Sequence, residues 1–505
     1  MFVSRRAAIV VLLASSSGLA AQSAPKVGPA RGTVVVVGGG SMGPEIYSRF
    51  IAAAGGPDAL IIDVPTAGGD SVYGQNAPGT RGWRLAGAKN IYVLHTKDKK
   101  LADSDSFAAI LKKAGGVWFE GGRQFHLVNS YAGTKTEQGF HDVLARGGVV
   151  GGSSAGASII GDFLVRGAPS NDNFIMDHPE YEKGFAFLRN TGIDQHVVAR
   201  ERLADLADSI MPKYPDLLGI SEDEGTAWIV KGDTGTIVGR NKAFVYGGKD
   251  ETDPRKPFLT LYPGDTYNLA TRRVMKRASD GSPVTARFID SLFNKYSNQS
   301  LGGATVLVAQ NGSVLVDRSY GIPDQTKYMP TTTVPQFNVG GITEIFNALC
   351  AQIPEPPPGR GGRGAATDSV GRGRGRAANP GTPFQSCITR RVSTPVGLHK
   401  TSATTDVLVQ SNVDELYRLS LGLENPRTYV RDTTSMAGID VTKNWEADKF
   451  RGVARLSAYG VPGGKRAAFV RMPDKHATII ILTNDDSADA KGMADKIAER
   501  LLSSK

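Results

Sequence analysis

The chain has 505 residues, of which 40% are hydrophobic and 21% charged, with a formal net charge of +10. That length exceeds what one hydrophobic core ordinarily organises, so two domains are the first expectation, and the composition excludes a disordered or fibrous chain. The basic balance favours anionic surroundings such as cell-envelope polymers or acidic substrates. Nucleic acid is disfavoured, because no recognisable binding module accompanies the charge.

Residues 1–21 carry Arg5 and Arg6, then an apolar run, then S-S-S-G-L-A-A. This is the order of a charged n-region, an h-region and a small-residue cleavage zone. The apolar run is well short of the roughly 20 residues that span a bilayer. It reads as a signal peptide cut near Ala20 or Ala21, which makes the product secreted or periplasmic, and no later segment reads as a membrane span. The only cysteines, Cys350 and Cys387, are expected to pair in an exported chain. Neither has the neighbours of a metal or redox motif, so no metal is expected.

Residues 33–37 form an unbroken β-branched strand that enters G-G-G-S-M-G at 38–43. Gly38, Gly40 and Gly43 satisfy a dinucleotide fingerprint, with Asp63 in the place of a ribose-binding acid; this is the minor reading of the turn, and no cofactor is expected. A helix over 45–54 follows, then strands over 59–64, 91–94 and 116–120 and helices over 105–114 and 137–146. Val149 and Val150 lead into the next turn. Such alternation predicts an α/β fold with a parallel sheet. The loops 38–43, 65–69, 121–124 and 152–156 should then gather at its carboxyl edge.

Within 147–161, Gly152-Ser153-Ser154-Ala155-Gly156 fits G-x-S-x-G, the cramped strand-to-helix turn that lifts a serine hydroxyl above a sheet. The N–H of Ala155 would open the helix and face a developing oxyanion. The alternative is a plain helix cap at Ser154 or Ser153. A nucleophilic serine needs a histidine to take its proton and a carboxylate to orient that histidine. Of seven histidines, His196 stands at the end of a strand, ahead of the cluster Glu222-Asp223-Glu224. On position it is favoured over His95, His126, His141 and His178.

A helix is expected over 200–209 and a strand over 227–231, with 234–240 and 243–246 as an antiparallel ending. The pattern weakens over 255–281, and a domain boundary falls near 279–285. Beyond it come a helix over 286–296 and strands 304–310 and 313–320 joined by Asn311-Gly312, a hairpin signal. A turn and helix occupy 337–351. Residues 354–383 are Pro-, Gly- and Arg-rich and too poor in apolar residues to bury a core. Strands 465–472 and 477–483 precede a terminal helix over 487–502 with Ser487 as its cap.

The ordered set V-V-V-V-G-G-G, V-P-T-A, G-G-R-Q, G-G-S-S-A-G-A-S, D-Q-H, R-E-R-L and D-E-G-T-A resembles cyanophycinases and related aspartyl dipeptidases over about 33–246. The resemblance implies a flavodoxin-like α/β sheet akin to class I glutamine amidotransferases, in a domain spanning 28–280, and a serine peptidase. It makes Ser154 the nucleophile, His196 the base and Glu224 the orienting acid, with Glu222 the alternative. It puts the oxyanion hole at the N–H groups of Gly122 and Ala155, and Gln124, Asp194, Gln195 and Arg200 around the substrate.

Two positions depart from that pattern: Arg123 replaces an acidic or amide residue, and Asp205 replaces an arginine. Arg123 and Arg200 could hold a carboxylate through bidentate contacts. A β-aspartyl or acidic peptide is therefore expected, rather than cyanophycin itself, the polymer of β-linked aspartate and arginine units. Whether the chain forms a homodimer is left open. The order Ser-His-Glu separates it from an α/β-hydrolase, which would pair Ser154 with His399 or His476.

Residues 304–321, 337–348 and 473–502 resemble the opening and closing segments of serine β-lactamase or penicillin-binding-type hydrolases. That family's S-x-x-K falls on Gly341-Ile342-Thr343-Glu344, so its chemistry cannot run here. The resemblance implies a degenerate α+β domain over 285–505. A second function class follows from it, a non-catalytic protein that binds envelope peptide or polymer.

Overall fold

The structure is a computed structural model that describes residues 24–169, 174–176, 178–247, 257–297, 303–320, 336–354, 382–405, 408–426, 436–461 and 465–503. The proposed signal peptide and nearly all of the low-complexity insert lie outside these residues.

The β-branched run becomes β1 (Thr33–Val37), buried along its whole length. Val34 and Val36 enter one apolar core, and Val35 and Val37 enter another on the opposite face. A strand covered on both faces reads as a continuous apolar run, and this one does. Beside it stand β2 (Leu60–Val64), β3 (Asn90–Val93), β4 (Gly116–Phe119) and β5 (Val149–Ser153), all parallel, in the order β1-β5-β4-β2-β3. The helix Pro44–Ala54 covers one face through Ile46 and Phe50, against Trp83 and Trp118. Helices Gln124–Tyr131 and Lys135–Ala145 cover the other through Leu127, Tyr131, Phe140 and Val143.

The sheet is larger and more mixed than a parallel reading predicts. After β6 (Gly161–Phe163), β7 (Leu188–Gln195) and β8 (Leu218–Glu222), the chain returns as β9 (Thr226–Lys231), antiparallel to β1. β10 (Thr234–Gly239) pairs with β9, whereas β11 (Ala243–Tyr246) pairs with β8. The expected antiparallel ending thus divides between two sheets: alternation of apolar residues marks a strand but does not name its partner. β12 (Phe258–Leu261) extends the second sheet to β12-β11-β8-β7-β6. β13 (Thr266–Asn268) and β14 (Arg273–Lys276) complete nine strands in the first. These last are too short for a period to show, which is why the pattern weakens over 255–281.

Two expected helices are broken. Residues 105–114 form the turn Asp105–Ala108 and the 3-10 segment Ala109–Lys113. The helix after His196 begins only at Leu203 and runs on as a π-helical turn, Leu206–Ile210.

In the second half, β15 (Ala304–Gln310) and β16 (Ser313–Tyr320) form the hairpin that Asn311-Gly312 signals. A small sheet joins β17 (Phe337–Asn338), β18 (Ser402–Thr405) and β19 (Leu408–Ser411). β20 (Glu446–Phe450), β21 (Val453–Val461), β22 (Lys465–Met472) and β23 (Ala477–Thr483) complete a six-stranded antiparallel sheet with the hairpin. Its residues alternate between two cores, Val306 and Val308 facing one side and Leu307 and Ala309 the other. Helices Ala286–Phe293 and Ala490–Leu502 fill the first core, Thr343–Gln352 and Val413–Glu424 the second. The terminal helix is capped by Asp489, which accepts from Gly492 N–H, and not by Ser487, whose own N–H and hydroxyl are taken by Asp485. No helix among the described residues is long and apolar enough to cross a membrane.

Cys350 and Cys387 are bonded, which ties the helix Thr343–Gln352 to Pro383–Cys387 across 37 positions of chain. A loop of that length implies a contribution of roughly 2–4 kcal/mol through the unfolded state. The double variant Cys350→Ser/Cys387→Ser is expected to lose about that much in a urea titration; an unchanged midpoint would count against the bond.

Candidate active site

The site begins where β5 runs out. Ser154 follows Ser153 with φ 58° and ψ −118°, a positive-φ backbone that costs a non-glycine residue about 1–3 kcal/mol. Its side chain does not cap the short helix Ala155–Ser158 that follows. The flanking glycines are sterically required. A Cβ on Gly152 would lie 2.2 Å from Gly156 O, and one on Gly156 would lie 2.0 Å from Phe119 O. The hydroxyl is therefore held up, at the edge of the sheet, and is not spent on the helix it precedes.

It meets His196 instead. Ser154 Oγ lies 2.8 Å from His196 Nε2, and His196 Nδ1 lies 2.7 Å from Glu224 Oε1. A carboxylate only accepts, so Nδ1 donates to Glu224 and Nε2 carries the lone pair that faces the serine O–H. Burial alone would push the Glu224 carboxyl up. Hydrogen bonds from His196 and from His399 outweigh that and hold it far below the usual carboxylate range. Glu222, the alternative acid, is fully buried in β8, with neither carboxylate oxygen hydrogen-bonded among the described residues. Burial, with Asp194 and Asp223 nearby, pushes its pKa well up. Glu224 is the acid that reaches the histidine.

The carboxyl end of β1 organises all three side chains. Val37 O accepts from Ser154 N–H at 3.0 Å, Gly38 O from His196 N–H at 3.0 Å, and Gly39 O from Gly225 N–H at 2.8 Å. The glycines leave room for the side chains as well. A Cβ on Gly39 (φ 94°) would sit 2.0 Å from the His196 ring, and one on Gly40 would sit 2.6 Å from Glu224 Oε2. The space against these glycines holds the side chains of His196 and Glu224. Asp63, the ribose candidate, is fully buried, and burial with Glu120 beside it raises its carboxyl pKa.

The loops expected at one edge do meet there. Gly121 is close enough that a Cβ on it would be 3.7 Å from Ser154 Oγ. Gly122 packs on Ala67, and Arg123 N–H donates to Ala67 O at 2.7 Å. Ala155 opens its helix, where an N–H has no intrahelical acceptor. Arg123 is half-buried and donates to Ala168 O at 3.3 Å. Burial first, then the cations Lys97 and Arg123, push the His126 pKa down.

The remaining residues named from the sequence have partners of their own. Gln124 is buried, with its amide on Val165 O at 3.3 Å. Asp194 is fully buried in a bidentate pair with Arg166, at 2.9 and 2.8 Å. Arg166 also pairs with Asp205, so the acid that departs from the pattern has a structural partner. Gln195 is buried in β7 opposite Glu222, and Arg200 is exposed.

Sequence reasoning misses three contributors: Gly39, Asp223 and His399. Asp223 Oδ1 accepts from Val198 and Ala199 N–H at 3.0 and 2.9 Å, just beyond His196. The sequence offers His399 only as a rival base for Ser154, yet it sits on Glu224 at 2.8 Å.

Gly39→Ala is expected to displace the His196 ring and slow labelling of Ser154 by a serine-directed fluorophosphonate about 10²-fold or more. Labelling at the wild-type rate would show that the ring does not need this space. A second expectation follows from Glu224, whose folded-state pKa is depressed. Its stabilisation is present above the unfolded value of about 4.3 and is lost as pH falls through the folded one. The stability advantage of the wild type over Glu224→Gln, read by urea titration, should not fall between pH 7 and about 5 and should shrink below about 4.

Residues 34–238 match Peptidase family S51. The cyanophycinase of Synechococcus elongatus is 28% identical over 273 residues, covering 49% of this chain and 82% of that protein. The cyanophycinase of Geminocystis herdmanii is 28% identical over 265 residues, covering 48% and 96%. A peptidase from an acI-B1 Actinobacterium, solved by crystallography, is 22% identical with a TM-score of 0.38, covering 47% of this chain and 97% of its own. The match of residues 34–238 to Peptidase family S51, together with the similarity to cyanophycinases, indicates a serine-type peptidase.

Proposed function

We propose that the protein is an exported peptidase that hydrolyses β-aspartyl or acidic peptides through Ser154, His196 and Glu224, by way of an acyl-enzyme. The observation that carries this reading is the unbroken relay from Ser154 Oγ through both nitrogens of His196 to Glu224, at 2.8 and 2.7 Å.

Ser154 Oγ attacks the scissile carbonyl carbon as His196 Nε2 takes the hydroxyl proton. The carbonyl oxygen gains the negative charge and faces the N–H groups of Gly122 and Ala155, donors that cost no reorganisation when charge develops. The C–N bond then breaks, and Nε2–H passes the proton to the leaving amine. Water, deprotonated by His196, attacks the ester and releases the acid product, which regenerates Ser154. Glu224 stays ionised and stabilises the imidazolium in each half.

Several observations support an acidic substrate. Half-buried Arg123 follows Gly122 directly, and exposed Arg200 lies four residues from His196, so a guanidinium stands in each of the two loops. Two similar proteins are named cyanophycinases, for cyanophycin, the polymer of β-linked aspartate and arginine units. Export is supported by the pattern of residues 1–21 and by the Cys350–Cys387 bond, which suits an oxidising compartment. The second half reads as a degenerate β-lactamase-type domain. Where that family's nucleophilic motif would fall, Thr343 spends its hydroxyl as acceptor for Val409 N–H at 3.1 Å.

Ser154→Ala is expected to lower turnover of β-aspartyl dipeptides by about 10⁴-fold or more while leaving the thermal transition in place. Turnover at the wild-type rate would refute the assignment. Arg123→Gln should raise KM for acidic peptides more than for their amide counterparts; an equal effect on both would remove Arg123 from substrate recognition.

A further inference from the structure

The relay does not stop at Glu224. His399 Nε2 lies 2.8 Å from Glu224 Oε2, so an imidazole engages each carboxylate oxygen, one from each half of the chain. The His399 segment is itself clamped. Glu415, on the helix Val413–Glu424, accepts the backbone N–H of His399 at 3.0 Å on Oε1. Its Oε2 accepts the N–H groups of Lys400 and Thr401 at 3.1 and 3.0 Å and the Thr401 hydroxyl at 2.9 Å. One carboxylate gathers three successive N–H groups, which fixes where His399 can stand.

The same helix makes a second connection. Arg418, three residues along from Glu415, donates to Gly397 O at 3.0 Å and to Asp223 Oδ2 at 3.1 Å. Both charged side chains are essentially excluded from solvent, 4% and 0% exposed. Asp223 uses its other oxygen to hold the N–H groups of Val198 and Ala199, two and three residues after His196. A single helix thus reaches the acid through Glu415 and His399, and reaches the base through Arg418 and Asp223.

We propose that His399, Glu415 and Arg418 are positioning residues for the peptidase centre, and that the second half of the chain completes that centre in cis. The proposal rests on the Ser154-His196-Glu224 reading. The physical reason is orientation. A carboxylate held at one oxygen can swing about its last torsion, whereas one held at both presents Oε1 to His196 in a fixed plane. Charge-assisted bonds are about twice as strong as neutral ones, which suits them to this task. Breaking an ion pair as buried as Arg418–Asp223 is costly, which ties the helix Val413–Glu424 to the turn that carries Asp223.

The test compares His399→Ala, His399→Gln and Ser154→Ala in the full-length protein, each normalised to folded material by near-ultraviolet circular dichroism. Hydrolysis of a β-aspartyl dipeptide and the rate of fluorophosphonate labelling are the readouts. A positioning role predicts that His399→Ala lowers kcat and the labelling rate about 10- to 100-fold, with KM nearly unchanged. It also predicts that His399→Gln, whose amide N–H can still reach Oε2, recovers most of the loss. Wild-type kcat and labelling in His399→Ala, with Ser154→Ala inactive, would overturn the proposal and leave the triad standing. Equal loss in the Ala and Gln variants would also overturn it. Activity retained in Ser154→Ala would remove the reading beneath it. Arg418→Met provides an independent arm, since the same split of kcat from KM is expected and a wild-type kcat would remove Arg418 from the frame.

Discussion

Ser154, His196 and Glu224 converge on a few backbone atoms at the carboxyl end of β1, and they can do so only because Gly39 and Gly40 leave space there. The His196 ring lies where a Cβ of Gly39 would be, and Glu224 lies where one of Gly40 would be. The backbone of the same turn receives N–H groups from Ser154, His196 and Gly225. Close approach and hydrogen bonding are therefore a single constraint. It explains why a buried strand must end in three glycines, and why the three functional loops arrive there from distant parts of the chain.

The electrostatics follow from that geometry. Glu224 is mostly buried, which disfavours its charge, yet two imidazoles restore it to the ionised state. Glu222 is equally acidic in sequence but has no such donors among the described residues, and burial pushes its pKa well up. Two glutamates two residues apart are thus driven in opposite directions by their partners. Their places in the fold set this up, because Glu222 is the last residue of β8, inside the sheet, and Glu224 stands on the turn beyond.

Much of this arrangement was legible in the sequence, and what was not has physical reasons. The short strands β12 to β14 contain too few residues to display a period, whereas the apolar runs at 33–37, 304–310 and 477–483 announce themselves. Ser154 was legible because G-x-S-x-G encodes a local steric requirement. His196 and Glu224 were legible only through the order of motifs that carries the family resemblance. The role of His399 was out of reach by either route. It stands 175 residues from Glu224, and only the packing of the second half against the first brings them together. Asp194 and Gln195, which a motif named, are buried in β7, and the Arg166 partner of Asp194 was not legible in the sequence.

The central claim is that Ser154 forms an ester with the acyl half of the substrate. Acid-quenching the enzyme during turnover of an activated β-aspartyl ester, followed by peptide-mapped mass spectrometry, tests this most directly. The account predicts an acyl adduct on Ser154 in the wild type and none in His196→Ala. An adduct on another residue, or full turnover with no adduct under conditions that trap acyl-enzymes, would contradict it.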